Sequence, residues 1–107
     1  MSGIDDRESG FENKYAHDQE LDFKANARRN KLLGLWAAEL MGLDGEAATA
    51  YSKSVIIADF EEAGDDDVFR KLRADFDAKK VDVSDHLLRK QMDELLAEAR
   101  HQIQTET

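Results

Sequence analysis

The sequence predicts an all-α fold: a compact antiparallel four-helix bundle preceded by a flexible N-terminal arm. Three observations carry this expectation. The 107 residues contain no proline. Alanine, leucine, glutamate and lysine, all strong helix formers, dominate, and no period-two alternation marks a strand. Apolar residues recur at three- and four-residue spacings in four segments, each bounded by glycine, aspartate or serine.

The first segment runs from Asp18, a candidate N-cap, to about Met41. Leu21, Ala25, Leu32, Leu33, Trp36 and Leu40 form its apolar set, and Gly42 stands where a left-handed residue relieves the last carbonyls. Some 24 residues give a rod of roughly 36 Å. Its middle, residues 32–38, is apolar all round and belongs at the bundle centre. Gly34 there costs about 1 kcal/mol against alanine, so a neighbouring helix is expected to approach closely.

Asp44 opens the second segment, in which Ala47, Tyr51, Val55 and Ala58 make a stripe widened by Ile57 and Phe60 and stopped by Gly64. Asp65 opens the third, with Asp66 and Asp67 in its positively polarised first turn and Val68, Phe69, Leu72 and Phe76 as its apolar set. Lys79 and Lys80 suit its C-terminal end. Ser84 caps the fourth, with Val83 packing on Leu88 as a hydrophobic staple ahead of Met92, Leu95, Ala99 and Ile103. Short turns between amphipathic helices favour antiparallel neighbours.

Residues 1–17 break the pattern and are expected to form an arm distinct from the bundle of residues 18–107. Ser2-Gly3 and Ser9-Gly10 are poor helix material, and Ile4, Phe11 and Tyr15 are the large hydrophobes before Leu21. Three such side chains do not offset an ordering cost of about 1–2 kcal/mol per residue, so the free segment is expected to be disordered and to fold on a partner.

Composition narrows the function. The length suits one domain, 41% of residues are hydrophobic and 36% charged. Zero cysteines exclude disulfides and thiolate metal sites. No secretory leader precedes Asp5 and Asp6, and the apolar run at residues 32–38 is far short of a membrane span, so a cytoplasmic chain without direct membrane insertion is expected. A net charge of −9 opposes nucleic acid and anionic lipid.

Chemical motifs are weak. Ser84-Asp85-His86 is a helix start whose side chains diverge, so it is not a hydrolase triad. Glu98 and His101 have di-iron spacing, but no second such pair accompanies them, and no metal is expected. The acids at positions 61, 62 and 65–67 lack the spacers and mid-loop glycine of a calcium loop. Lys24, Arg28, Arg29 and Lys31 form a basic strip, a candidate contact for an anion or nucleotide, though such a strip more often pairs with acids on its own surface, such as Asp22 and Glu20, or is simply solvated. No nucleophile, base and oxyanion donor assemble, so an enzyme is not expected, and no cofactor beyond weak adenine nucleotide binding.

The residues 11–18 (Phe-Glu-Asn-Lys-Tyr-Ala-His-Asp), Phe23-Lys24-Ala25, and the stretch 27–38 (Ala-Arg-Arg-Asn-Lys-Leu-Leu-Gly-Leu-Trp-Ala-Ala) resemble the alphaproteobacterial zeta subunit family of inhibitors of the F-type ATP synthase. Further matches are residues 59–64, 67–71 and 92–96, so the resemblance spans nearly the whole chain. It implies a regulatory inhibitor whose mobile arm inserts between alpha and beta subunits near the gamma shaft and becomes helical there. The bundle stays outside as an anchor, and ATP hydrolysis is blocked in the manner of a pawl while synthesis is much less impeded. Under this resemblance Ile4, Phe11 and Tyr15 are apolar anchors, and Asp5, Asp6, Arg7, Glu8, Glu12 and Lys14 are charged contacts. The partners are then the alpha, beta and gamma subunits, at the cytoplasmic face of the inner membrane, and the free protein is a monomer.

One departure is Gly10, where alanine is expected in a strong inhibitor. His17, at the junction of arm and bundle, is a candidate pH sensor or an inert surface residue. Two alternatives stay open: a nucleotide- or small-ligand-binding bundle using the basic strip near Trp36, and a zeta-like protein with weak or no inhibition.

Overall fold

The computed structural model describes residues 2–61 and 64–106, with side chains from residue 19 onward. Four helices follow in order: α1 (Ser2–Leu40), α2 (Gly45–Ala58), α3 (Asp66–Ala78) and α4 (Asp85–Glu106). Among the described residues there is no strand. The architecture is the expected all-α bundle, in which α1 packs against α2 and α4, and α3 closes against both of these.

Helix α1 begins at Ser2, so Asp18, expected as an N-cap, is an interior residue. A helix already formed downstream is the physical reason, because each residue added to its start contributes a bond without the nucleation cost of a new helix. The C-terminal end is as expected. Gly42 sits at φ 79°, and the Leu43 N–H donates to the Ala38 carbonyl at 2.8 Å, closing the turn where a side chain would strain the backbone.

The core joins Leu33 and Ala37 of α1, Val55 of α2, Val68, Leu72 and Phe76 of α3, Val83, and Leu88 and Met92 of α4. Trp36 meets Phe76 edge to face with ring centroids 5.7 Å apart. The expectation that residues 32–38 are covered all round is corrected: Leu35 is 36% exposed, so α1 is covered over part of its circumference. Gly34 does mark a close approach. A Cβ built there would lie 2.5 Å from Ser52 Cα, so α2 crosses α1 at the glycine.

Helix α2 ends at Ala58, before the expected stop at Gly64, and Asp59 is its C-cap. Ala47, expected in the stripe, is exposed, and so are Ile57 and Phe60, which do not widen it; the buried residues of α2 are Ser52, Val55 and Ala58. Both Asp44 and Asp65 occupy N-cap positions without a side-chain capping bond. Ser84 does cap α4, accepting the Leu87 N–H at 3.0 Å, and Val83 and Leu88 are both buried in the core beside it.

Candidate functional site

Three consecutive residues of α1 fix the helix to the bundle, and they do so on two sides. Arg28 reaches α4, donating through Nη1 to Gln102 Oε1 at 2.7 Å and to Glu106 Oε1 at 2.8 Å, and through Nη2 to Glu106 Oε2 at 3.1 Å. This two-pronged bond raises the Arg28 pKa and lowers that of Glu106. Arg29 and Asn30 instead reach the connection between α2 and α3.

Arg29 is 1% exposed, the largest fully buried side chain among the described residues. Its Nε donates to Asn30 Oδ1 at 2.7 Å and its Nη2 to Asp65 Oδ1 at 2.8 Å. Asn30 passes the network on, donating through Nδ2 to Asp59 Oδ2 at 2.9 Å. Asp59 and Asp65 stand at the two ends of the α2–α3 connection, so both ends are tied to neighbouring residues of α1. A buried cation is costly unless it is paired and hydrogen-bonded, and this network gives Arg29 one amide acceptor and one carboxylate.

The two carboxylates respond in opposite directions. The Arg29 hydrogen bond holds the Asp65 carboxyl below its usual range. Burial pushes Asp59 upward; the Asn30 hydrogen bond and Arg29 charge pull it back, and nearby Asp67 and Asp65 push it further. Elsewhere Tyr51 donates to Asp75 at 2.6 Å, and burial followed by that bond holds its hydroxyl well above the usual phenol range.

The basic strip is therefore divided. Lys24, Arg28 and Lys31 line one open cavity with Phe23 and Ile56, whereas Arg29 turns into the polar network. Lys24 pairs with Glu20 at 3.1 Å and Arg28 with Glu106. The side chains of Ile4, Asp5, Asp6, Arg7, Glu8, Phe11, Glu12, Lys14, Tyr15 and His17 lie outside the described residues; their backbone belongs to α1. In the fourth helix Glu98 accepts a bond from Gln102 at 3.1 Å, and Asp85 at its start pairs with Arg73 at 3.0 Å. Among the described residues no group of three His, Cys, Asp or Glu is placed to hold a metal, and no helix is long and apolar enough to cross a membrane.

Sequence reasoning missed the Arg29–Asn30–Asp59–Asp65 network. Its signal was a charged residue and an amide, Arg29 and Asn30, separated from the apolar run at 32–38 by Lys31 alone.

A four-helix bundle gripping one long N-terminal helix defines a small all-α module. The family model for ATPase inhibitor subunit zeta matches residues 1–102, and the chain belongs to that family, an inhibitor subunit of ATP synthase rather than a catalytic enzyme. A solved solution NMR structure is 46% identical, covers 81% of this chain and 99% of its own, and superposes with a TM-score of 0.73. No curated protein matches.

Proposed function

We propose that this protein inhibits ATP hydrolysis by inserting the start of α1 at an alpha/beta/gamma interface of the ATP synthase catalytic head, with the bundle as its external mount. The observation that carries this reading is the single helix from Ser2 to Leu40, whose base is gripped at Arg28 by α4 and at Arg29 and Asn30 by the α2–α3 connection. A helix held at one end transmits load from its free end to the bundle. Rotation that drives the inserted end against its mount is resisted, whereas the opposite rotation withdraws it, which is the physical basis of a block on hydrolysis alone.

Ile4, Phe11 and Tyr15 supply the apolar contacts in this reading, and Asp5, Asp6, Arg7, Glu8, Glu12 and Lys14 the charged ones. Composition supports an arm whose helical turns become fixed on binding, with the part of α1 gripped at Arg28, Arg29 and Asn30 as the template that continues into it. The site of action is then the cytoplasmic face of the inner membrane.

Adding the purified protein to the cognate catalytic head and following ATP turnover tests the proposal. Hydrolysis should fall with protein concentration to a plateau, and synthesis by the intact enzyme should change far less. Equal suppression of both directions contradicts the one-way block. The alternative of nucleotide binding has thinner support, since Lys24 and Arg28 are engaged by Glu20 and Glu106. Saturable amide shifts on titration with submillimolar ATP would restore it.

A further inference from the structure

We propose that the cleft between Phe23 and Phe60, backed by Asn30 and Asp59, receives a lysine or arginine side chain of the ATP synthase catalytic head and holds the bundle beside the point where α1 enters. This deepens the reading of α1 as the inserted element and rests on it.

The cleft lies between α1 and the end of α2, has a volume of about 360 Å³, and is lined by Phe23, Asn26, Asn30, Ile56, Asp59 and Phe60 among others. Phe23 is 62% exposed and Phe60 70% exposed. Two open aromatic rings flanking one cavity are an unusual use of surface on a chain that is 36% charged. Phenyl faces attract cations through the ring quadrupole, and a guanidinium or ammonium between them would have its charge directed at the carboxylate behind.

Asp59 is the group that makes the site selective for positive charge. Among the described residues its carboxylate accepts one hydrogen bond, from the neutral Asn30 amide, while the Arg29 guanidinium is committed to Asn30 and Asp65. Burial, with the neighbouring Asp67 and Asp65, holds the Asp59 carboxyl above its usual range even against the pull of the Asn30 hydrogen bond and the Arg29 charge. An anion brought to the same cleft would face Asp59 and Asp65 and be repelled. The net charge of −9 adds a long-range pull on a basic surface.

Position on α1 supplies the link to the catalytic head. Phe23 follows Tyr15 by eight residues, about 12 Å along a helix. With the helix inserted as far as Tyr15, the cleft lies at the rim of the entry point, where the outer surface of the head is within reach.

The test is the affinity of the full-length protein for the catalytic head, measured by interferometry at low and at physiological salt. Asp59→Asn keeps the acceptor for Asn30 and removes the charge; Phe60→Ala alters an exposed ring. Each should weaken binding by about tenfold, with maximal inhibition at saturation unchanged. Asp59→Asn should also flatten the salt dependence. Leu87→Ala, an exposed apolar change on α4, should bind as the parent does. Unchanged affinity and salt slope in both cleft variants overturns the proposal. So does a concentration-dependent dimer of the free protein that Phe60→Ala abolishes, since a second copy would then occupy the cleft. Removal of residues 1–17 separates the two readings: inhibition that survives it defeats the role of the inserted helix, whatever the cleft variants do.

Discussion

Arg29 of α1, buried to 1% exposure, is bonded to Asp65 at the start of α3 at 2.8 Å, so the base of the long helix is fixed to the connection that follows α2. Asp65 thereby gives up the capping bond its position invites and supplies counter-charge instead.

Asp65→Ala should therefore cost more than a lost cap. It leaves a buried guanidinium with one partner removed, a change worth about 3–5 kcal/mol for a fully enclosed pair. Asp65 is half-exposed and Asp59 lies near enough to compensate in part, so about 2 kcal/mol is expected. Urea denaturation measures it. The lowered Asp65 pKa sets the sign with acid: its stabilisation is present above the usual 3.8 and fades as pH falls through the still lower folded value. The variant should lose that part of the acid dependence; a loss of stability under about 0.5 kcal/mol would show that Arg29 is satisfied without Asp65.

Asp59 has the opposite sign. Its folded pKa is raised above 3.8, so its contribution is full below that value and lost as pH rises through the folded one. Asp59→Asn should gain stability relative to the parent between pH 4 and pH 7. Thermal melts across that range check it, and a relative loss on going to neutral pH would contradict the assignment.

Gly34→Ala sets two effects against each other. Alanine improves helix propensity by about 1 kcal/mol. Its Cβ, however, would meet the Ser52 backbone at 2.5 Å, and backbone does not move aside as a flexible side chain does. Separation of α1 from α2 should dominate, with a net loss of about 2 kcal/mol or more. Melting at or above the parent temperature would mean that the crossing relaxes freely.

The features legible in the sequence were those that one helix declares by itself. Gly42 announced the end of α1, Ser84 with Val83 announced the start of α4, and Gly34 announced a close neighbour. What stayed hidden depended on groups far apart in the chain. Nothing local distinguishes Arg29 from Arg28, yet 36 residues away Asp65 draws one inward while Glu106 holds the other at the surface. The same limit explains Phe60. At the end of α2 it reads as an extension of the buried stripe, but the helix stops at Ala58 and the ring is left outside.

Gly10 lies within the helical backbone of α1. Gly10→Ala should lower the inhibition constant about fivefold, the equivalent of about 1 kcal/mol of helix propensity realised on binding. An unchanged constant would mean that position 10 is not helical in the bound state.

The most direct measurement compares the full chain with one lacking residues 1–17, each titrated into the catalytic head while ATP hydrolysis is followed. The full chain should inhibit, and the shortened one should leave hydrolysis at its uninhibited rate. Equal inhibition by the two would place the blocking element in the bundle and contradict the role given to the start of α1.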